Sequence, residues 1–223
     1  MSTITLSREQ ARYLVDVALS AASTDDVTPV ICGAHITVED GKLRVVCTDR
    51  YRAHTALLKA EKIDGDLDFI IPRDALQWLK ANYTYFGSSM RDFQRVTIEV
   101  TPHPDGPPST GPGEVVVTVQ EFEAADANSV RWKGKHIRGN FPPVIKLIET
   151  ARDAEAVLAT PRLRLDYLSR MSALSRLGRQ DSPWVKCTSN TNPNKPGPVY
   201  VSWRDGSGVY AEALIQPNLE PTA

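Results

Sequence analysis

The sequence predicts an α+β protein in which helices lie on one side of antiparallel sheets. Three stretches each place a short alternating strand directly before an amphipathic helix, and strands that can form a hairpin follow each helix. A strand–helix–strands unit that recurs three times is typical of a modular architecture, because each unit buries its apolar faces against its neighbours. The three stretches are TITLSREQARYLVDVALSAAS, FIIPRDALQWLKANY and RLRLDYLSRMSALSRLGR.

The first unit has the clearest helix start. Residues 3–6 alternate polar and apolar side chains, and Ser7 with Gln10 has the spacing of a capping box. The helix that follows is predicted to bury one stripe of apolar side chains. That stripe consists of Ala11, Leu14, Val15, Ala18 and Leu19.

The second and third helices are predicted from weaker signals. In the second unit Pro72 ends the strand and sets the backbone for the first helical turn. Its core side chains are predicted to be Leu76, Leu79 and Tyr83. In the third unit, Gly178 is predicted to end the helix, which places three apolar side chains on the core side. These are Leu168, Met171 and Leu174.

Each helix is followed by strands that are predicted to pair as a hairpin. Residues 32–49 turn at Asp40-Gly41, a dipeptide that favours two-residue hairpin turns. The return strand alternates, which directs Leu43, Val45 and Cys47 toward the core. VTIEV with EVVVTVQEF, and residues 199–215, are predicted to form the other two hairpins.

Charge and hydropathy exclude several classes of protein. The chain has 26 Lys and Arg against 27 Asp and Glu, so its formal net charge is −1. A chain of this kind can hold nucleic acid only if its basic residues are gathered on one surface. No apolar run is long enough to cross a bilayer, and the N-terminus has no signal segment. These observations predict a cytoplasmic protein without membrane contact.

The outward faces of the three helices are predicted to be basic. Together they would form one surface suited to phosphate groups, since Arg and Lys supply most protein contacts to a nucleic-acid backbone. Solvated helix faces often carry Arg and Lys, so each residue alone is weak evidence. The residues predicted to face DNA are Arg8, Arg12, Arg73, Gln77, Lys80, Arg170 and Arg176.

A catalytic site at Cys47, Asp49 and His54 is a weaker interpretation of the same sequence. No oxyanion-hole signal, Gly-rich helix start or helical His pair accompanies these residues. A core cysteine and a turn-capping aspartate explain them better, so no enzyme is predicted. The four histidines of the chain are scattered without zinc-like spacing, so neither a metal site nor a cofactor is predicted.

Three motifs, in the same order, resemble the middle domain of the bacterial DNA polymerase III β subunit, the sliding clamp. TPVICGAHITVEDGKLRVVCTDRYRAHTA is similar to that family's strand, acidic-Gly turn and return strand. FIIPRDALQWLK resembles the family's helix entry, and GNFPPVIKLIE resembles its domain ending. The matching positions include Pro29, Ile31, Gly33, Leu43, Thr48, Asp49, Arg52 and Ala56, and in the last motif Phe141, Pro142, Leu147 and Ile148.

The resemblance implies a sliding-clamp fold with a pocket for short peptides. It implies a complete clamp-like domain over residues 1–148 and a second, half-length domain over residues 149–223. The pocket would lie at the end of the strand that precedes Asp49, and Ala53 there replaces the family's usual Leu, which predicts a wider or shallower pocket. The positions that correspond to the family's pocket are Ile31, Thr48, Arg50, Tyr51, Arg52, Ala53, Pro142 and Leu147.

The function that the resemblance implies is that of a polymerase processivity factor. Such a protein forms a homo-oligomeric ring around duplex DNA, without sequence preference, and binds peptide motifs of the polymerase and the clamp loader. The short chain suggests a phage-encoded clamp that acts in the host cytoplasm. An alternative is a non-encircling adaptor or decoy that binds only the clamp-motif peptides. A general DNA-binding module is a third interpretation, which would bind linear duplex with a steep salt dependence.

Overall fold

The computed structural model describes residues 1–86, 93–101, 113–121, 128–175, 182–190, 192 and 195–217. Within these ranges the α-helices are α1 (Arg8–Ala21), α2 (Arg73–Asn82), α3 (Val144–Asp153) and α4 (Leu165–Arg170). The strands are β1 (Ser2–Ser7), β2 (Gly33–Glu39), β3 (Lys42–Thr48), β4 (Arg52–Leu58), β5 (Lys62–Asp64), β6 (Asp68–Pro72), β7 (Arg95–Thr101), β8 (Glu114–Gln120), β9 (Ser129–Lys135), β10 (Trp184–Cys187), β11 (Val199–Asp205) and β12 (Gly208–Ile215). Short 3-10 helices, Pro29–Ile31 and Met171–Leu174, follow α1 and α4.

The strands form two antiparallel sheets with α1 and α2 between them. One sheet has the order β5-β1-β7-β8-β9, and the other has the order β10-β11-β12-β4-β3-β2-β6. α1 packs beside α2, and both helices contact strands of both sheets. The main hydrophobic core therefore lies between the sheets, where it includes fully buried Leu14, Leu76 and Trp203.

The first unit forms as its sequence predicts. Ser7 Oγ accepts a hydrogen bond from the backbone N–H of Gln10 at 3.3 Å, and Gln10 Oε1 accepts one from the N–H of Ser7 at 2.8 Å. This capping box starts α1. Of the predicted apolar stripe, all members but Leu19 are fully buried, and Leu19 is half-buried against the core.

The predicted hairpins also form. Asp40 and Gly41 have φ values of 49° and 71°, as a two-residue turn between right-twisted strands requires. Leu43, Val45 and Cys47 all lie in the core, at no more than 1% exposure. β7 pairs with β8, and β11 pairs with β12.

The third unit differs from the prediction. Residues 161–164 form no strand, although Arg164 is extended, and α4 ends at Arg170 before continuing as a 3-10 turn. Leu168 was predicted to be buried but is 42% exposed, and Tyr167 is buried in its place. The reason is that Tyr167, not Leu168, shares a face with Met171 and Leu174, which are buried as predicted. Gly178 lies outside the described residues.

The fold class is confirmed, with one difference in where the helices lie. α1, α2 and α4 are on the same side of the seven-stranded sheet, but α3 covers the opposite face. α3 buries Val144, Ile148 and Ala151 against Val46 and Tyr200 of that sheet. Apolar residues at this spacing form a stripe along the helix that is stable only when it is buried. The stripe of α3 is buried against the face of the sheet opposite α1.

The seven-stranded sheet crosses the predicted boundary between residues 148 and 149. β4 pairs with β12 from Arg52↔Ile215 to Ala56↔Ala211, so strands from both sides of that boundary belong to one sheet. The boundary itself falls inside α3, and the division into two domains stays a prediction. No helix in the described ranges is long and apolar enough to cross a membrane.

Candidate functional site

A cavity of about 300 Å³ lies where the β3–β4 turn, α3 and the loops of the third unit meet. We call it the groove. None of its described lining residues is acidic. The first unit contributes Thr48, Arg50, Tyr51, Arg52 and Ala53, the α3 region contributes Val144, Leu147, Thr150, Ala151 and Ala154, and the third unit contributes Thr188, Ser189, Asn190, Pro198, Leu214 and Gln216.

Most of the pocket residues predicted from the sequence line the groove. They are Thr48, Arg50, Tyr51, Arg52, Ala53 and Leu147. Ile31 does not, because it lies in the 3-10 helix after α1 and is packed inside at 2% exposure. Pro142 does not either, because it precedes α3 and the groove wall begins at Val144.

The turn between β3 and β4 is held in place by its own side chains. Asp49 Oδ1 accepts hydrogen bonds from the backbone N–H groups of Tyr51 and Arg52, at 3.1 and 3.0 Å. Thr48 Oγ1 donates to the carbonyl oxygen of Arg52 at 2.7 Å and accepts from the N–H of Arg50 at 3.2 Å. Arg50 needs this support, since its φ of 78° is rare for a residue with a side chain. The turn presents Tyr51, 60% exposed, at the rim of the groove.

The two arginines of this turn reach away from the groove. Arg52 is 6% exposed, its Nε donates to Asp49 Oδ2 at 3.0 Å, and its guanidinium lies 4.5 Å from the ring centre of Tyr167. Arg50 donates to Thr28 Oγ1 and lies 3.9 Å from Asp25 Oδ2. Arg52 therefore positions the turn, and it is not a side chain that a ligand in the groove can reach directly.

The floor of the groove is apolar and its rim is polar. Ala53 and Ala151 meet in a small cluster with Val144, and Leu214 packs against that cluster. Hydroxyl and amide side chains surround it, from Thr48, Thr150, Thr188, Ser189, Asn190 and Gln216. An apolar pocket with a few convergent polar groups suits an extended peptide that inserts an apolar side chain.

An ion pair between exposed Arg152 and buried Glu212 fastens α3, and with it one wall of the groove. Arg152 donates two hydrogen bonds to Glu212, each 2.8 Å long, and Tyr200 donates its hydroxyl to Glu212 Oε1 at 2.6 Å. The hydrogen bonds with Glu212 raise the pKa of Arg152. Burial, followed by the neighbouring Glu212 carboxylate, raises the pKa of Tyr200 to about 12. Lys186 donates to the carbonyl oxygens of Arg152 and Ala154 at the end of α3, which suits the negative end of the helix dipole.

Of the α3 wall the sequence predicts only Leu147, and it predicts none of the third-unit wall. The helix itself has a sequence signal, because Val144, Ile148 and Ala151 have helical spacing directly after two prolines. No local pattern marks Thr188, Asn190 or Gln216, because the chain brings them to the groove only through the β4–β12 pairing.

Three of the residues predicted to face DNA line one cleft on the helix side of the molecule. This basic cleft, of about 530 Å³, joins Arg12 of α1, Lys80 of α2 and Arg170 of α4. Asp16 lies in the cleft too, 3.6 Å from Arg12, and partly offsets its charge. The lining also includes the hydroxyl groups of Ser169, Ser172 and Ser175.

The other residues of that prediction lie around the cleft. Arg73 donates to the carbonyl oxygen of Ala22 at 3.1 Å, and burial, followed by the charge of Arg170, lowers its pKa. Gln77 is exposed on α2, and Arg8 is half-buried at the start of α1. Arg176 lies outside the described residues.

Cys47 and His54 are buried side by side and are structural residues of the protein interior. They are cross-strand partners, and burial raises the pKa of Cys47 to about 12 and lowers that of His54 to about 3. Cys47 donates to the carbonyl oxygen of Val17 at 3.1 Å, while Asp49 is occupied in the turn. Among the described residues no cluster of three His, Cys, Asp or Glu side chains could hold a metal ion.

Comparison with known proteins confirms the resemblance. Residues 5–91 match the family described as "DNA polymerase III beta subunit, central domain". Comparison with the curated proteins finds no significant match.

Solved structures that are similar to this chain include β subunits of DNA polymerase III. A putative β subunit from Eubacterium rectale has a TM-score of 0.63 at 15% identity, over 99% of this chain and 66% of its own. The β subunit from Thermotoga maritima has a TM-score of 0.58 at 12% identity, over 100% and 65%. A sliding clamp from Bartonella birtlesii, bound to griselimycin, has a TM-score of 0.56 at 18% identity, over 97% and 66%. The chain thus has the sliding-clamp fold and spans slightly less than two thirds of the length of these proteins.

Proposed function

We propose that this chain is a DNA sliding clamp, a processivity factor that encircles duplex DNA and tethers a polymerase through the groove. The observation that carries the proposal is the placement of two sites on opposite faces of one sheet. The groove lies on the α3 face of the seven-stranded sheet, and the basic cleft lies on the α1 face. A protein with this arrangement can hold DNA on one side and a partner on the other at the same time.

The groove is suited to peptide motifs of the polymerase and the clamp loader. Its floor can take an apolar side chain, and Tyr51 at the rim is the kind of rigid amphipathic residue that dominates binding energy. The absence of acidic side chains from the described lining favours a neutral or acidic peptide over a basic one.

The basic cleft is suited to sliding on duplex DNA. Arg12, Lys80 and Arg170 come from three different helices and can contact phosphates, which carry no sequence information. Such contacts are individually weak and exchange readily with water and salt, so they hold a moving duplex without fixing its position.

Encirclement requires self-association. The chain contains two strand–helix–strands units and a third helix–strands unit without a leading strand in the described ranges. Clamp rings as a class contain about twelve units in closed cyclic symmetry, so a ring would contain four chains or a two-fold pair in which the third units meet. The role requires no catalysis and no cofactor, and it belongs in the cytoplasm with the replication proteins.

Peptide binding tests the docking half of the proposal. A fluorescent peptide with a bacterial polymerase clamp-binding motif should bind with an affinity that Tyr51→Ala lowers by at least about tenfold, as expected for a hot-spot residue. Tyr85→Ala is the matched control, because Tyr85 is 59% exposed and does not line the groove. An unchanged affinity in Tyr51→Ala would refute the assignment of the groove.

DNA topology tests the encircling half. Once loaded, the protein should stay on nicked circular duplex and dissociate when a restriction enzyme linearises the DNA. Equal retention on both forms would show ordinary duplex binding, and retention on neither, with peptide binding intact, would show a non-encircling adaptor.

A further inference from the structure

The two arginines of the β3–β4 turn differ in how firmly their charges are held. Both Arg50 and Arg52 are among the lining residues of the groove. Arg52 is buried, donates to Asp49 Oδ2 at 3.0 Å and lies against the ring of Tyr167, so its charge is used inside the protein. The side chain of Arg50 is half-exposed, and its contacts are weaker.

The contacts of the Arg50 guanidinium leave capacity for a stronger acceptor. Its Nη1 lies 3.9 Å from Asp25 Oδ2, which is longer than a hydrogen bond, and its Nη2 donates to the neutral hydroxyl of Thr28. The carboxylate of Asp25 is itself half-exposed, and ion pairs between exposed groups contribute little to stability. Because a guanidinium has five N–H donors, these two contacts do not saturate it.

The backbone of Arg50, unlike its side chain, is fixed relative to the groove. Its N–H donates to Thr48 Oγ1 at 3.2 Å, and Asp49 accepts from the N–H groups of the next two residues. These hydrogen bonds hold Arg50 at a φ of 78°. A half-exposed side chain on a fixed backbone can change rotamer without moving the turn, so the guanidinium can turn from Asp25 toward the groove.

The neutral donors on the rim of the groove are already engaged. The side chains of Thr188, Asn190 and Gln216 donate to backbone carbonyl oxygens of the chain, at 2.7, 3.1 and 3.3 Å. The described lining contains no acidic side chain that would repel an anion. Hydrogen bonds from a charged donor are about twice as strong as those between neutral groups. Within the described lining, Arg50 is therefore the donor that an entering anion recruits most favourably.

We infer that Arg50 forms an anion subsite on the rim of the groove, which binds a carboxylate side chain of the docked peptide beside the apolar residue on the floor. This inference rests on the proposed function and specifies which peptides the groove selects. On binding, Arg50 exchanges its long contact with Asp25 for a bidentate pair with the peptide carboxylate. Such a pair selects acidic over neutral peptides, and Asp25 is the carboxylate that competes for the same guanidinium.

The test uses the fluorescent clamp-binding peptide in matched versions, in which each residue flanking the apolar anchor is in turn Glu or Gln. At one flanking position the wild type should bind the Glu version at least about threefold more tightly than the Gln version, in fluorescence anisotropy at low salt. Arg50→Gly should remove this preference, and the turn should keep its shape because glycine readily adopts a φ of 78°. Arg131→Gln is the matched control, since Arg131 is exposed on β9 of the other sheet and should leave the preference intact.

A second variant gives a change of opposite sign. Asp25→Asn removes the competing carboxylate but keeps the oxygen that accepts from the N–H of Val27. It should tighten binding of the Glu version about twofold and leave binding of the Gln version unchanged. If Arg50 served only to hold the turn, Asp25→Asn would leave the ratio of the two affinities as it is in the wild type.

The outcomes separate this inference from the proposed function. Equal affinity of the wild type for the Glu and Gln versions at every position overturns the anion subsite, and so does a preference that Arg50→Gly retains. In both cases the loss of binding in Tyr51→Ala still assigns the groove. An equal loss of both versions in Arg50→Gly, with a lower melting temperature, shows that Arg50 only supports the turn. If no version binds to the wild type, the proposed docking function fails and this inference fails with it.

Discussion

His54 should make the stability of this protein depend on pH in a way that one substitution removes. The side chain is fully buried between β4 and α1, where its Nδ1 lies 2.6 Å from Ser20 Oγ. Its Nε2 has no hydrogen-bond partner in the described part of the chain. Burial, followed by the nearby charge of Arg52, lowers the pKa of His54 from 6.5 to about 3.

The sign and the size of the effect follow from linkage. As the pH falls, His54 is protonated near pH 6.5 in the unfolded chain but only near pH 3 in the folded chain. Stability from this group is therefore fully present above pH 6.5 and falls as the pH decreases from 6.5 toward 3. Between pH 7.5 and 5.0 the loss is about 2 kcal/mol. This figure depends almost entirely on the pKa of His54 in the unfolded chain, because its pKa in the folded chain lies far below 5.

Urea unfolding followed by tryptophan fluorescence at pH 7.5 and 5.0 measures the loss. His54→Gln keeps a polar group for Ser20 but cannot titrate, so its loss between the two pH values should be about 2 kcal/mol smaller than that of the wild type. Ser20→Ala is the control, since it lowers stability at both pH values but leaves His54 buried and able to titrate. If wild type and His54→Gln lost the same amount, His54 would not be buried in its neutral form.

Three further predictions concern the groove, the cleft and the α3 anchor. Leu147→Ala should remove an exposed apolar side chain from the α3 wall of the groove and weaken peptide binding by at least about tenfold in fluorescence anisotropy; unchanged affinity would mean that the peptide does not contact this wall. Replacing Lys80 and Arg170 by Glu should lower the slope of log affinity for DNA against log salt by about 2. Peptide binding should be unchanged in that double variant, and a loss of both would indicate a damaged fold. Glu212→Gln should lower the free energy of unfolding in urea by at least about 1.5 kcal/mol, because it removes the carboxylate that accepts two hydrogen bonds from Arg152. An unchanged free energy of unfolding would show that this ion pair does not stabilise the fold.

The parts of the fold that the sequence predicted are those set by local chemistry. The capping box at Ser7 and Gln10, and the Asp40-Gly41 turn, act over a few residues and do not depend on what packs nearby. The strand–helix order of the first two units follows from them. The prediction of a strand before α4 in the third unit was wrong. Residues 161–164 have the pattern of a strand but pair with no strand in the described part of the chain. A strand requires a neighbour, and sequence pattern does not supply it.

The candidate site was only partly predictable for a related reason. Resemblance to a family predicts which positions of the chain lie near the site, but it does not predict the direction in which each side chain points. Arg52 occupies a groove position, yet strand alternation turns its guanidinium toward Tyr167 on the helix side. The wall formed by α3, and the wall that includes Asn190 and Gln216, depend on the pairing of β4 with β12, between strands more than 150 residues apart in the register Arg52↔Ile215.

The two proposed activities differ in how much of the assembly they require. Every lining residue of the groove comes from the first unit, the α3 region or the third unit of one chain. Peptide binding is therefore a property of the monomer and should have the same affinity at all protein concentrations. Encirclement of DNA requires a closed ring, and a closed ring of short chains requires self-association. Retention on circular DNA should consequently rise with the fraction of assembled protein while peptide affinity stays constant. If peptide affinity instead rose together with assembly, the groove would include residues from a second copy.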